Sequence, residues 1–362
     1  HYYVSVLPAD AMDVDESGNR VGHTVGGARL GPAAPSVTVI VNKEPLPYAQ
    51  ISAFIFEDSG PTNGAVDGGE QGLGGFQITL EDAGGRYGIS AGAMSQDADG
   101  NPLTNALDCF GGSAPATGVI LSCPDTPENR AAGVVGEVLI KNLFPVKYGV
   151  IVTPPEEGGT AANRWVQTST IEGSKVIDAW VKAGEPPFFS EFGPAGWHVF
   201  VGFVNPERAA ANNPGGGNTV TGKVTNLHMA RPPDQSLVDS ASYDALAHTR
   251  AWVGLNSEAG IGTNIAAIQA DADGNFQIDN VPDGEFQLVV WDSYLDQVIA
   301  YRAVSLPGGG DLGNVPVFQW FTRLENNVFL DENEDGIRQE SEAPLAEQAV
   351  NLRWHDGSVY QS

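Results

Sequence analysis

The sequence is poor in positive charge, in cysteine and in long apolar runs, and each shortage closes off a class of function. Only 18 Lys and Arg stand against 45 Asp and Glu, a formal net charge of -27 over 362 residues. Nucleic acid would be repelled by such a surface. The acidity either serves solubility, including in saline water, or recruits cations, because a divalent ion bridging carboxylates relieves their repulsion. No apolar run approaches the ~20 residues that cross a bilayer. The two cysteines, Cys109 and Cys123, form no Cys-x-x-Cys pair and no His-rich cluster accompanies them, so structural zinc finds no ligands. In an oxidising compartment a disulfide between them would close a short loop; the other reading is two buried thiols. No signal peptide is visible, and Tyr2-Tyr3-Val4-Ser5-Val6 alternates like the middle of a strand, which reads as a processed or partial chain.

Catalytic signatures are missing as well. His1, His23, His198, His228, His248 and His355 are scattered, and none belongs to a His-Glu-x-x-His motif. No Gly-x-Ser-x-Gly elbow or phosphate-binding loop follows a strand. The chain is therefore read as no enzyme. One grouping invites a site: Asp178, Glu185, Glu191 and His198, with Trp180 and Trp197. Carboxylates beside aromatic rings suit sugar binding or glycoside cleavage, whereas aromatics in an irregular segment also simply fill it.

What the chain does have is turn-formers and alternation. With 45 Gly and 24 Pro, it favours short strands over long helices, and 41% hydrophobic residues set disorder aside. The fold class expected is all-β, a tandem of Ig-like or transthyretin-like β-sandwich modules with calcium-binding loops. Residues 1–47 read as the terminal strand of a preceding module plus a linker. Residues 48–211 read as a full sandwich with an aromatic insertion at 165–204 packed upon it. A linker at 212–219 leads to a second sandwich at 220–310, and 324–362 reads as the first half of a further module. Residues 136–145 and 148–155 predict an antiparallel pair joined by a tight turn, and 236–248 a modest helix.

Two segments share one grammar. Ile55-Phe56-Glu57-Asp58 leads through Asn63-Gly64, Asp67 and Glu70 to Leu73, Ile78 and Leu80; Val328-Phe329-Leu330-Asp331 leads through Asp335-Gly336 and Glu342 to Leu345, Val350 and Leu352. From the closing Glu onward the offsets are identical, which marks an internal repeat. The later copy fits a twelve-position calcium loop, with Asp331, Asn333 and Asp335 at the first, third and fifth positions, Gly336 at the sixth and Glu342 at the twelfth. Ile337 would offer its carbonyl, and Gln339 a side chain or a bound water. The earlier copy is stretched, with Ser59-Gly60-Pro61-Thr62 standing between Asp58 and Asn63; its candidate ligands are Asp58, Asn63, Ala65, Asp67 and Glu70. The acidic turns Asp97-Ala98-Asp99-Gly100 and Asp271-Ala272-Asp273-Gly274 lack the distant Glu and read as hairpin turns.

These motifs resemble the B-type repeats of serine-aspartate-repeat adhesins, together with collagen-adhesin B and carboxypeptidase-regulatory-like modules. The resemblance rests on the acidic loop ending in Glu, the Leu-x-x-x-x-Val/Ile-x-Leu strand after it, and the Asp-Gly then Pro-x-Gly-x-Phe closure at 273–286. It implies B-type sandwiches at 48–211 and 324–362 and a carboxypeptidase-regulatory-like one at 220–310, with Ca²⁺ stiffening the modules. Some family members also link Lys to Asn through an isopeptide bond. Lys223 lies on an expected first strand, but no acceptor and carboxylate pair match, so none is expected here. The reading is an extracellular or cell-surface, structural or adhesive protein. It is expected to self-associate into a filament or longer repeat array through strand complementation, with a glycan or surface ligand as a further partner. The alternative is a secreted carbohydrate-binding module or a non-catalytic spacer of a larger enzyme.

Overall fold

In the computed structural model the described residues are 2–17, 20–30, 36–39, 41–45, 47–81, 93–112, 117–155, 165–169, 176–188, 196–227, 246–247, 251–292, 300–318, 328–333, 338–339, 341–346, 352–353 and 359–361. The chain is all-β, built as tandem sandwiches. Strands β1 (Tyr2–Val6) and β2 (Gly26–Leu30) form an antiparallel ribbon. The first sandwich comprises β3 (Ala49–Glu57), β4 (Gln77–Glu81), β5 (Ile120–Leu121), helix α1 (Pro127–Ala132), β6 (Glu137–Leu143), β7 (Lys147–Thr153), β8 (Val166–Gln167), β9 (Ile177–Trp180), β10 (Val199–Val204) and helix α2 (Pro206–Ala211). One sheet has the order β6-β3-β10-β8 and the other β5-β4-β7-β9. Inward residues of both sheets, among them Ile51, Ile55, Ile78, Leu80, Ile140 and Val150, make one core.

The second sandwich comprises β11 (Asn218–Leu227), β12 (Leu246–Ala247), β13 (Ala251–Ser257), β14 (Asn264–Gln269), β15 (Asn275–Val281), β16 (Gly284–Asp292), β17 (Ala300–Leu306) and β18 (Asp311–Phe318). Its sheets are β12-β11-β15, with β18 on the other edge of β11, and β14-β13-β16-β17. Beyond it, β19 (Leu352–Arg353) and β20 (Val359–Gln361) form a second ribbon. Among the described residues no helix is long and apolar enough to cross a membrane.

Four expectations change. Residues 136–145 and 148–155 form strands but not a pair: β6 joins β3, while β7 joins β4 and β9 in the facing sheet. Their turn crosses the core, with the buried Tyr148 hydroxyl donating back to the Phe144 carbonyl at 2.8 Å. Residues 165–204 are no elaboration. They supply β8, β9 and β10, and β10 lies in mid-sheet, parallel to β3. Their aromatics cover the outer face of β3, where Trp197 stacks on Phe54 at 4.5 Å. The second sandwich does not end at 310, because β18 closes it against β11 in parallel. Helices α1 and α2 were unforeseen. Thr126 and Asn205 cap them, each followed by a Pro in the first turn. The helix expected at 236–248 lies outside the described residues except for β12.

The Asp97 and Asp271 turns are turns, and they match bond for bond. Asp97 Oδ1 accepts from the Asp99 and Asn101 amides at 2.9 and 2.8 Å, and Asp271 Oδ1 from those of Asp273 and Asn275 at 2.9 and 2.7 Å.

Cys109 and Cys123 are joined, closing a 14-residue separation. The loop caps the free edge of β6, where buried Asn105 donates to the Leu121 and Glu137 carbonyls and accepts from the Leu139 amide. Removing the cross-link in a Cys109→Ala/Cys123→Ala variant should cost about 3 kcal/mol by the chain-entropy estimate. Denaturant midpoints at constant slope check this; an unchanged midpoint would contradict it.

Candidate functional site: an acidic loop set between two sandwiches

The first acidic loop begins where β3 runs out. Asp58 donates its amide to the Phe203 carbonyl of β10 at 2.9 Å, which carries the strand pairing to its last residue. The carboxylate then turns back into the loop. Oδ1 accepts from the Asn63 amide at 2.9 Å and Oδ2 from the Gly64 amide at 2.8 Å. Glu70 closes the loop from the other end: Oε1 accepts from the Ser59 and Gly60 amides at 2.9 and 3.0 Å, and Oε2 from the Asp67 amide at 2.9 Å. Asn63 Nδ2 donates to Asp67 Oδ2 at 2.7 Å, and Asn63 Oδ1 accepts from the Ala65 amide at 2.8 Å. Gly202 on β10 permits this closeness, since a Cβ there would stand 2.9 Å from the Asp58 Cβ and 2.8 Å from the Phe56 ring.

The second loop repeats this frame. Glu342, 4% exposed, accepts from the Glu332 amide at 3.1 Å and the Gln339 amide at 2.9 Å, the positions that Ser59 and Asp67 hold around Glu70. Below the loops, Phe56 bridges Gly72 as Phe329 bridges Pro344. Leu73 donates to the Ile55 carbonyl and Leu345 to that of Val328, both at 2.8 Å. The repeat read in the sequence is therefore also a repeat of hydrogen bonds. Asp331 and Asn333 stand at the loop's start; Asp335 and Ile337 lie outside the described residues.

The loops differ where the sequence differs. The stretch Ser59-Gly60-Pro61-Thr62 of the first loop reaches the second sandwich. Thr62 exchanges two bonds with buried Asn256 on β13, donating to Oδ1 at 3.1 Å and accepting from Nδ2 at 2.9 Å. The Asn264 amide donates to the Ser59 carbonyl at 2.9 Å, and the Tyr301 hydroxyl to the Asn63 carbonyl at 3.2 Å. An apolar cluster of Val204, Ala209, Ala267, Val289 and Trp291 joins the two sandwiches beside it. A crevice of about 350 Å³ opens next to Glu70, lined also by Glu57, Ser59, Gly60, Ile261 and Thr263. Neither Asn256 nor Tyr301 was a candidate from sequence, and no local pattern marks them.

Electrostatics sets Asp58 apart. Wholly enclosed, its carboxyl is pushed up to about 7 by desolvation; the Thr168 hydroxyl and the Asn63 and Gly64 amides pull it down, and the Glu70 charge adds to the rise. Burial also raises Glu70, against the amides that lower it. Desolvation and then the Asp58 charge raise the Tyr301 hydroxyl. In kind these donors fit a hard cation, because every candidate side chain offers oxygen. In arrangement they are bonded to backbone amides, and among the described residues no three His, Cys, Asp or Glu converge as metal ligands do. The frame thus stands on its own amides.

The carboxylate and aromatic grouping does not assemble. Asp178 and Trp180 lie on β9, where Asp178 pairs with Lys147 and the Lys147 ammonium stands 5.7 Å from the ring of Trp180. His198 and Trp197 lie by β3 in the other sheet, and Glu191 lies outside the described residues. His198 Nε2 is 3.5 Å from Glu185, and its Nδ1 is 2.9 Å from the Ser52 hydroxyl. That hydroxyl donates to the Pro187 carbonyl, and Ser52 and the His198 ring are 3% and 2% exposed. Burial lowers the basicity of His198 while Glu185 opposes it. A Ser, a His and a Glu so placed fasten residues 185–187 onto β3.

No protein-family model matches the chain, and no curated protein matches it. Among solved structures it is similar to the TIE protein of Bacillus anthracis, at 11% identity and a TM-score of 0.21, over 78% of this chain and 36% of that one. It is similar to a streptococcal ancillary pilin at 11% identity and 0.23, over 86% and 73%. With the shaft pilin SpaA of Lactobacillus rhamnosus GG the figures are 10% and 0.19, over 77% and 100%. The chain thus spans 36% of the first of these structures.

Proposed function

We propose that this is an extracellular structural or adhesive protein, a string of β-sandwich modules whose acidic loops hold Ca²⁺ and which associates into a filament or longer array. One observation carries the reading: the first acidic loop is built into the joint between two sandwiches, bonding to β13, β14 and β17 at once. A loop so placed fixes how one module sits on the next, which is what an elongated structural protein requires. In the calcium-bound loops, Asp58, Asn63, the Ala65 carbonyl, Asp67 and Glu70 would hold one ion, and Asp331, Asn333, Asp335, Ile337, Gln339 and Glu342 the other. The ion would supply the positive charge that enclosed Asp58 otherwise lacks.

Calcium at 100 times its dissociation constant should stabilise the protein by about 3 kcal/mol over chelator. Thermal melts with and without chelator measure it; superimposable curves would remove calcium from the proposal. Electron micrographs of the native material test the assembly, filaments supporting it and dispersed single particles opposing it.

A further inference from the structure

The sequence contains one Asn-Gly pair, Asn63-Gly64, and the fold sets it in the acidic loop at the joint between the sandwiches. Asparagine is thermally labile, and most so before glycine, where the chain can react with itself. The Gly nitrogen gives up its proton and attacks the Asn Cγ; an N–Cγ bond forms, the Cγ–Nδ2 bond breaks, and ammonia leaves. Water then opens the resulting succinimide at one carbonyl or the other, which yields aspartate or isoaspartate. Glycine favours closure because it has no Cβ to crowd the nitrogen and turns freely.

Every group in that reaction is tied down here. The nucleophile is the Gly64 amide, whose N–H is donated to Asp58 Oδ2 at 2.8 Å. The electrophile is the Asn63 side chain, and it is held at both ends. Oδ1 accepts from the Ala65 amide at 2.8 Å, and Nδ2, the leaving group, donates to Asp67 Oδ2 at 2.7 Å. The carbonyls on either side are pinned as well, that of Asn63 by the Tyr301 hydroxyl and that of Gly64 by the Ser169 hydroxyl. Asn63 and Gly64 are half-buried and Ala65 is exposed, so water reaches the pair. Bonds, not burial, hold the reaction off. Swinging Cγ onto the Gly64 nitrogen turns the Asn63 side chain and the peptide after it, and so breaks the first three of these bonds.

We propose that Asn63-Gly64 is a latent modification site, protected while the joint is closed and converted once it opens. The joint has this control because the second sandwich holds the pair from outside the loop: Asn256 on β13 grips Thr62, and Tyr301 on β17 grips Asn63. The product does not fit back. An aspartate at position 63 has no donor for Asp67 and sets a second carboxylate against it. An isoaspartate lengthens the backbone by one carbon between the two amides that Asp58 gathers. A joint held open for long enough is therefore marked for good, and its modules stay loosely coupled.

Peptide mapping by mass spectrometry of the full chain, kept with chelator at mildly alkaline pH, reads the amide-to-acid conversion at position 63. Three bonds worth about fivefold each predict that the native protein converts ~100-fold more slowly than the same protein in denaturant. Asn256→Ala should convert ~10-fold faster than native by loosening the joint, while Ser257→Ala should keep the native rate. Asp67→Ala frees the leaving group without touching the joint and should convert about fivefold faster, which keeps the test open if Asn256→Ala fails to fold. Equal rates in the native and denatured protein, or a native rate in Asp67→Ala, would overturn the protection. A folded Asn256→Ala protein that converts as slowly as the native one would overturn control by the joint. Protein aged to full conversion should unfold in two transitions, and a single transition at the native midpoint would overturn the lasting effect.

Discussion

Without divalent cations, the protein should lose about 4 kcal/mol of stability as pH rises from about 4 to about 7, and an Asp58→Asn variant should lose little of it. The sign follows from the raised carboxyl. Its ordinary value is 3.8 and in the folded protein about 7, so the folded state keeps a proton that the unfolded state releases. Stability from this group is fully present below pH ~4 and is gone once pH has passed ~7. Asp58 is 0% exposed, so solvent screens the effect little. Asp97 and Asp271, held below their usual values, work in the opposite sense at lower pH. They are common to both proteins and cancel in the difference. Asn at this position keeps one acceptor and loses the other, a constant offset of ~1 kcal/mol at all pH values. Denaturant unfolding in chelator across this range measures the difference, and parallel profiles for wild type and variant would refute the assignment. Added calcium should flatten the wild-type profile, since the ion competes with the proton for the same oxygens.

The second large effect is expected from Asn256→Ala, which should separate one unfolding transition into two. This side chain is 0% exposed and meets both backbone groups of Thr62 as well as the Asn264 side-chain amide, which donates to it at 3.0 Å. Truncation leaves these three buried groups without that partner, at ~1 kcal/mol or more each, so the joint should weaken by about 3 kcal/mol or more. Each sandwich keeps its own core and should then melt by itself. Calorimetry checks this against Ser257→Ala one residue on, whose exposed hydroxyl bonds only within its own turn. A single, uniformly shifted transition in Asn256→Ala would place the coupling in the apolar cluster around Trp291 instead.

What was legible in the sequence was local. The closing Glu recurs at nearly the same distance from the first Asp because its carboxylate accepts from the amide just after that Asp and from the amide three positions before itself, and that spacing survives as a pattern. The Asp97 and Asp271 turns carry their own side-chain bond and need no partner from afar. Pairing was not legible. Alternation tells which face of a strand is apolar, and both β6 and β7 have such a face, but it does not say which sheet each joins. Strand β10 was hidden because its neighbour β3 lies about 146 positions earlier, as in the Ser52 and His198 contact, and because Gly202 interrupts its apolar run. Trp180 and Trp197 look like neighbours along the chain; strands that alternate between sheets put them on opposite ones. Asn256 reads as an ordinary strand residue until Thr62 is set against it.

Each sandwich begins and ends on strands that lie side by side and run the same way: β3 with β10 over five register pairs, and β11 with β18 over six. Tension applied through the two ends of a module therefore pulls these strands past one another in opposite directions. The hydrogen bonds between them bear the load together, in shear, instead of opening one at a time like a zipper. Resistance to pulling is then set by a kinetic barrier, that of slipping a whole register, and is not measured by equilibrium stability. A molecule made this way can be only moderately stable in a test tube and still hold when stretched.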